Sequence, residues 1–136
     1  MRAPILLDTC ALIWVANNVE LRPEAEAALQ EMEPEAGGVT ISPISAWEIG
    51  QLVSRGRLRL SIDPLNWFQR NLRGGMTLAP MPVSVLIPSP SLPGALRDPA
   101  DKILAATARE FGYRPMTRDG PLLDLAAEGH LQAIAC

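Results

Sequence analysis

Apolar runs and amphipathic segments alternate along the chain, with turn residues between them. The first run, Ile5 to Leu7, is short, has no polar residue and stops at Asp8, which is typical of a buried strand. Further strands are predicted over residues 39–41, 76–83, 113–117 and 131–135. Because residues 76–83 contain two prolines, that strand is expected at an edge of the sheet or as a short piece.

Segments with apolar residues three and four positions apart are predicted to be helices. They cover residues 11–15, 24–32, 43–55, 64–73, 100–111 and 122–128. Pro34 and Gly37 should end the second helix, and Gly112 should end the fifth. The helix over 64–73 is predicted to bury Leu65, Phe68 and Leu72. Three prolines between Ile87 and Leu96 indicate a loop with at most one helical turn.

Strands that alternate with helices predict a parallel sheet covered on both faces. The expected fold is therefore a three-layer α/β/α sandwich around four or five strands. With 136 residues, the chain is expected to form a single domain over residues 1–136.

Composition narrows the class of protein further. A hydrophobic fraction of 48% with 20% charged residues is typical of a globular chain. No apolar run is long enough for a membrane span and the N-terminus lacks the layout of a signal peptide, so we expect a cytoplasmic protein. The net charge of −3 argues against non-specific nucleic-acid binding. Cys10 and Cys136 have no paired spacing, so both are predicted to be free thiols, with Cys10 buried.

Carboxylates recur where a predicted strand ends or a predicted helix begins. Asp8 and Asp119 follow strands, Asp101 lies one turn inside the helix over 100–111, and Glu48 lies past the first turn of the helix that begins at Pro43. Since the carboxyl ends of parallel strands share one edge of a sheet, the four acids are expected to gather there. The alternatives are structural: Asp8, Asp98 and Asp119 suit helix N-caps, and Ser45 with Glu48 matches a capping box.

Several carboxylates in one crevice repel each other unless a cation is present. Oxygen ligands without histidine or cysteine suit Mg²⁺ or Mn²⁺, which can activate a water and neutralise charge on a phosphodiester. Thr9 and Thr117 adjoin the acids and are predicted to orient a carboxylate or a water. Arg97 and Arg118 are candidates for holding the phosphate, although each also suits a solvated loop.

The aromatic residues and the single histidine have simpler interpretations. Trp14, Trp47 and Trp67 can stack on RNA bases, but amphipathic helical positions are more typical of a core or an interface. His130 is remote in sequence from every acid, and a surface or packing role is predicted for it.

Four segments resemble the motifs of PIN-domain ribonucleases, specifically VapC-type toxins of toxin–antitoxin systems. They are Leu6–Leu12, Ser45–Ile49, Arg97–Ala108 and Thr117–Asp119. The resemblance implies a PIN-like fold and metal-binding, catalytic roles for Asp8, Glu48, Asp101 and Asp119, with Asp98 as a neighbour. Two departures are Cys10, where a small or hydroxyl residue is more usual, and Gly120-Pro121 in place of a polar turn after the last acid.

The resemblance also implies an activity and partners. The expected function is Mg²⁺- or Mn²⁺-dependent cleavage of RNA by a toxin that a cognate antitoxin holds inactive, with the toxin as a homodimer and without membrane attachment. The alternative is a non-catalytic PIN-like module for RNA binding or regulation. A phospho-acceptor domain is disfavoured because Lys102, the only lysine, lies beside the acids.

An antitoxin would need a surface on the toxin. The helices predicted near residues 11–15 and 43–55 carry large apolar side chains that a thin sheet face does not readily cover. They are Leu12, Trp14, Val15, Trp47 and Val53. We therefore expect a groove for an amphipathic antitoxin segment, with burial inside the monomer or the homodimer as the alternative.

Overall fold

Five parallel strands lie between two layers of helices in the structure, a computed structural model that describes residues 3–32 and 38–136. The strands are β1 (Ile5–Leu7), β2 (Val39–Ile41), β3 (Thr77–Leu78), β4 (Arg114–Thr117) and β5 (Ile134–Ala135). The helices are α1 (Thr9–Ala16), α2 (Pro23–Gln30), α3 (Pro43–Ser54), α4 (Pro64–Arg73), α5 (Val83–Leu86), α6 (Pro99–Phe111) and α7 (Gly120–Ala127). This arrangement confirms the predicted α/β/α sandwich with a parallel sheet.

The order of the strands in the sheet is β3-β2-β1-β4-β5, and every neighbouring pair is parallel. The chain adds β2 and β3 on one side of β1 and then β4 and β5 on the other, so the order reverses between β1 and β4. In open parallel sheets, ligands bind beyond the carboxyl ends of the strands at such a reversal. Leu7 pairs with Met116, so Asp8 and Asp119 leave the sheet at adjacent positions.

The central strand supplies residues to the core on both faces of the sheet. Ile5 and Leu7 are completely buried against helices on one face, where Ile49 of α3 joins them. Leu6 points to the opposite face and packs against Leu104 of α6. Because side chains alternate between the faces of a sheet and both faces are covered, β1 has no polar residue.

Several element boundaries differ from the prediction for local reasons. Helix α1 begins two residues earlier than predicted, at Thr9, because Asp8 serves as its N-cap. The strand predicted over 76–83 is only Thr77–Leu78, since prolines cannot donate to a sheet ladder, and Pro82 precedes α5 instead. The final strand covers two of its five predicted residues, and the proline-rich loop contains one 3₁₀ turn at Ser89–Ser91.

Two predictions about burial were wrong. Leu65 is 66% exposed, and α4 packs through Trp67 and Phe68 instead. Cys10 is exposed, although both cysteines are free thiols as predicted. The predicted end of the second helix at Pro34 and Gly37 lies outside the described residues.

The fifth predicted helix ends as expected. Gly112 has a φ of 72° and forms the left-handed C-cap of α6. Of the helices in the described ranges, none combines the length and the apolar character that crossing a membrane requires.

Candidate active site

A cavity of about 360 Å³ lies beyond the carboxyl ends of β1 and β4. All five acids that the sequence singled out line it, from four separate parts of the chain. The lining residues are Asp8, Thr9, Cys10, Trp14, Glu48, Asp98, Asp101, Arg118 and Asp119. A larger cavity of about 440 Å³ borders α2, but its carboxylates, Glu24 and Glu31, come from that one helix and its C-cap. The smaller cavity is therefore the one with convergent chemistry.

Three of the acids also cap helices. Asp8, Asp98 and Asp119 are the N-caps of α1, α6 and α7, and each accepts one backbone N–H of its own helix, at 2.7, 2.9 and 3.0 Å respectively. Each of these bonds occupies one carboxylate oxygen, and an ionised carboxylate has two. Capping and cation binding, which the sequence presented as alternatives, are therefore compatible at these three positions.

Glu48 has a different local role from the one that a capping box would assign. The N-cap of α3 is Ser42, whose side chain accepts the N–H of Ile44 at 3.1 Å. Glu48 lies beyond the first turn of this helix and is half-buried. Its carboxylate accepts a hydrogen bond from the Thr9 hydroxyl across the gap between α1 and α3. The capping-box alternative was wrong, and α1 takes part in holding Glu48.

Ser45 extends this contact into a chain of hydroxyl groups. Oγ of Ser45, a completely buried residue, lies 3.0 Å from Oγ1 of Thr9. A hydroxyl group has one proton to donate, and Thr9 gives it to the carboxylate of Glu48. Ser45 must therefore donate to Thr9 when Glu48 is ionised. The sequence singled out Ser45 as a capping-box partner of Glu48 and as part of the Ser45–Ile49 motif, but it did not predict the contact between Ser45 and Thr9.

Replacing Thr9 with Val should destabilise the protein by about 1–3 kcal/mol, because the buried Ser45 hydroxyl would lose its acceptor and Glu48 its donor. Urea unfolding provides the measurement. Thr9→Ser keeps the hydroxyl and is the matched control, with an expected loss below about 1 kcal/mol for the missing methyl. Equal destabilisation by the two variants would contradict a role for the hydroxyl.

Burial and mutual repulsion raise the pKa values of three of the acids. For Asp101, burial and then the charges of Asp119 and Asp98 raise the pKa to about 7. Burial raises the pKa of Glu48, and the hydrogen bond from Thr9 opposes that change. Ionising these carboxyl groups together is costly without a nearby positive charge.

Asp8 is the most deeply buried of the acids, with 8% of its surface exposed. Burial raises its pKa, a hydrogen bond from the Thr117 side chain opposes this, and the charge of Asp119 adds to it. Thr117 also accepts the backbone N–H of Asp119 at 2.9 Å. Thr117 therefore contacts both acids that follow the central strands. Its role in orienting a carboxylate or a water stays a prediction.

The stability of the metal-free protein should fall as pH rises from about 4 to about 7. The pKa of Asp101 is about 7 in the folded state against 3.8 as an ordinary value, so the folded state binds more protons between these limits. Melting temperatures in EDTA across this range would measure the effect. Asp101→Asn should flatten the pH profile, whereas Asp124→Asn, at an exposed position of α7, should not. An equally steep profile in Asp101→Asn would contradict this assignment.

The other predicted residues divide between the cavity and the rest of the molecule. Arg118 lines the cavity with its guanidinium carbon 3.9 Å from the ring centroid of Trp14. Arg97 is exposed and is not a lining residue. Trp67 belongs to the hydrophobic core. His130 lies away from the cavity, with its Nε2 3.6 Å from the carboxylate of Glu128 at the end of α7. Sequence reasoning missed the pairing of Arg118 with Trp14, because no local signal joins positions so far apart.

The donor set has the chemistry that a hard cation requires. Five carboxylates line the cavity, with no histidine among its lining residues. Although the Cys10 residue is exposed, its thiol is partly desolvated at the wall of the cavity, and this desolvation and the charge of Asp8 raise the pKa of the thiol. A protonated thiol is a poor metal ligand. The residue types that line the cavity therefore fit Mg²⁺ or Mn²⁺. In the structure, no three His, Cys, Asp or Glu residues of the described ranges lie close enough together to hold a metal ion. The carboxylates would have to move closer together to bind the cation.

Comparison with known proteins identifies the family. The model of the PIN domain matches residues 5–128. Ribonuclease VapC22 of Mycobacterium tuberculosis is 34% identical over 120 residues, which cover 85% of this chain and 86% of that protein.

Solved structures share the fold over nearly the whole chain. One is VapBC2 from Rickettsia felis bound to a DNA fragment from their promoter, with a TM-score of 0.67, 14% identity and coverage of 96% of this chain and 97% of that chain. Another is FitAcB from Neisseria gonorrhoeae, with a TM-score of 0.58, 22% identity and 96% coverage of both chains. Sequence and fold agree, and the chain belongs to the PIN-domain family as a VapC-type member.

Proposed function

We propose that this chain is an endoribonuclease, the toxin of a toxin–antitoxin pair, and that it cleaves RNA phosphodiester bonds with bound Mg²⁺ or Mn²⁺. One observation carries the proposal: five carboxylates from four parts of the chain line one cavity beyond β1 and β4. A folded protein that gathers these charges bears a cost that a cation would relieve. The 34% identity to a protein named as a ribonuclease supports the choice of RNA as substrate.

The residues that would hold the cation are Asp8, Glu48, Asp101 and Asp119, with Asp98 at the rim. When bound, Mg²⁺ or Mn²⁺ neutralises charge on the phosphodiester and makes a water more nucleophilic. Thr9 orients the Glu48 carboxylate, and Thr117 supports Asp8 and Asp119. The N-termini of α1, α6 and α7 face the same carboxylates, so their partial positive charges offset part of the repulsion.

Incubation of the purified chain with single-stranded and structured RNAs tests the activity. Cleavage is expected with Mn²⁺ or Mg²⁺, should stop in EDTA and should return with excess Mn²⁺. RNA that binds without being cut under any of these conditions would refute the enzyme and favour the non-catalytic alternative. The protein should be refolded and repurified before the assay, so that a contaminating nuclease is removed.

The proposed antitoxin partner has a smaller apolar surface available than the sequence suggested. Leu12 is completely buried and contributes nothing to an outer groove, whereas Trp47 is 57% exposed on α3. Beside α1, a cavity of about 430 Å³ includes Val15 and Val19 in its lining. This remaining apolar surface is where we place an antitoxin segment.

Expression of the chain alone, and together with its neighbouring small gene, tests the partner. Growth arrest by the chain alone, and rescue by co-expression, are expected. The antitoxin should also slow amide exchange over residues 9–17 and 43–55. If co-expression neither restores growth nor protects those amides, the antitoxin proposal is wrong.

A further inference from the structure

One basic side chain, Arg118, lines the cavity that holds the five acids. Among the described residues, Arg118 forms no ion pair with a carboxylate. The ion pair between His130 and Glu128 lies outside this cavity. An arginine beside unpaired carboxylates would ordinarily fold onto one of them, because bidentate pairing is favourable. Some other contact must hold Arg118 away from the acids.

Two contacts do so. The guanidinium lies over the indole of Trp14, 3.9 Å from the ring centroid, and Nε donates to the backbone oxygen of Cys136 at 2.6 Å. Trp14 is itself packed against the main hydrophobic core, and the N–H of Cys136 donates to the backbone oxygen of Thr117 at 3.1 Å. The guanidinium is therefore held on a rigid support, with the core behind Trp14 and the sheet behind Cys136.

This arrangement leaves the outer part of the arginine available. Arg118 is exposed, and its hydrogen bond to the backbone oxygen of Cys136 uses Nε, not the two terminal nitrogens. The two terminal nitrogens of a planar guanidinium can bind two oxygens of one phosphate. Because the side chain is already immobilised on Trp14, little further conformational entropy is lost when a phosphate binds.

An RNA substrate would need such a residue here. The chain has a net charge of −3, and five carboxylates at the cavity repel an approaching phosphodiester. Asp8 is only 8% exposed and lines a cavity of about 360 Å³. A phosphodiester that reaches this cavity lies close to Arg118, because Arg118 lines the same cavity.

We propose that Arg118, held in place by Trp14, binds an RNA phosphate next to the scissile bond and so positions the strand over the carboxylates. The inference rests on the proposed ribonuclease function and adds a substrate-binding residue to it. Arg118 makes this contact directly, and Trp14 is a positioning residue that acts through it.

The experiment compares Arg118→Ala, Arg118→Lys and Trp14→Leu in cleavage of a short single-stranded RNA with Mn²⁺. Arg118→Ala should raise KM about 10- to 100-fold, as expected for a lost charge-assisted contact, with a smaller change in kcat. Arg118→Lys keeps the charge without the planar fork and should give an intermediate KM. Trp14→Leu should raise KM less than Arg118→Ala, because the arginine remains but is no longer held.

The salt dependence of binding gives a readout that a merely structural role would not change. RNA binding is measured in the cleavage-deficient Asp101→Asn background as the salt concentration increases. Loss of one phosphate contact should make the slope of log K against log salt shallower by about 0.7 in Arg118→Ala, and Arg118→Lys should restore the slope. Arg73→Ala is the matched control, because it removes an exposed arginine from the last turn of α4.

The outcomes separate this inference from the proposed function. Absence of cleavage by the unmodified chain would refute the ribonuclease. With an active unmodified chain, an unchanged KM and salt slope in Arg118→Ala would overturn the role of Arg118 alone. Weaker Mn²⁺ binding by Arg118→Ala, measured by titration without RNA, would also overturn it, because the arginine would then act through the carboxylates. Arg118→Lys decides the question if the alanine variant does not fold.

Discussion

Asp101→Asn is expected to lower Mn²⁺-dependent RNA cleavage by on the order of 10³-fold or more while the protein stays folded. A catalytic metal supplies several kcal/mol of transition-state stabilisation, and each factor of ten corresponds to about 1.4 kcal/mol. Asp101 lies in the first turn of α6 but is not its N-cap, so the amide removes charge without removing a cap. Near neutral pH and without metal, the variant should be more stable than the unmodified chain, because burial and neighbouring acids raise the pKa of Asp101 to about 7.

Asp8→Asn should reduce cleavage to a similar extent for the same reason. Asparagine is also a good N-cap, so α1 should still form. Glu110→Gln is the matched control, because it neutralises an exposed carboxylate on α6 well away from its N-terminus. Cleavage rates, circular dichroism and urea unfolding are measured for all three variants. Full activity in Asp101→Asn would refute the assignment of Asp101 as a metal ligand.

The second large effect is thermal stabilisation by the cation. A ligand that binds only the folded state stabilises it by RT ln(1 + [L]/Kd), which is about 2.7 kcal/mol at 100 times Kd. For a chain of 136 residues this corresponds to a rise in Tm of roughly 9 °C. Because protons compete with the metal for the same carboxylates, the rise should be larger at pH 8 than at pH 5.

Calorimetry with Mg²⁺ or Mn²⁺, and with NaCl at matched ionic strength, would measure this stabilisation. Sodium chloride should give a much smaller rise, since it only screens the repulsion between the carboxylates. Asp8→Asn should lose most of the rise produced by the divalent ions. A melting temperature that neither divalent ion changes would contradict the cation site and favour a non-catalytic module.

The local pattern of the sequence was sufficient for the acids and for most of the elements, but it did not predict helix α5, which begins where a strand was expected. A short run with no polar residue, such as Ile5–Leu7, is stable only where both faces of a strand are covered, and the helical spacing in residues 100–111 has one packed face. A carboxylate directly after such a strand must lie at the edge of the sheet. The sequence alone therefore predicted that Asp8, Glu48, Asp101 and Asp119 would meet, and the structure brings them to one cavity.

Burial and pairing between distant residues were decided only by the tertiary structure. The pattern of α4 placed Leu65 in the core, but the packed face of the helix carries Trp67 and Phe68. Whether a side chain on an amphipathic helix is covered depends on which neighbour packs there, and that information is not local. Cys10 is exposed for the same reason, since the cavity beside it is left open by the elements around it.

The contacts between side chains at the site could also be found only from the tertiary structure. The contacts of Thr9 with Glu48 and of Arg118 with Trp14 each join residues far apart in the chain. They arise because the sheet order places β1 between β2 and β4, so that α1 meets both α3 and the segment after β4. Periodicity and N-cap preferences act over a few residues and therefore determined where each helix starts and which acids it carries. The hydrogen bond of Thr9 to Glu48 and the stacking of Arg118 on Trp14 join residues from different parts of the chain. Only the assembled fold therefore determined which side chains contact the acids.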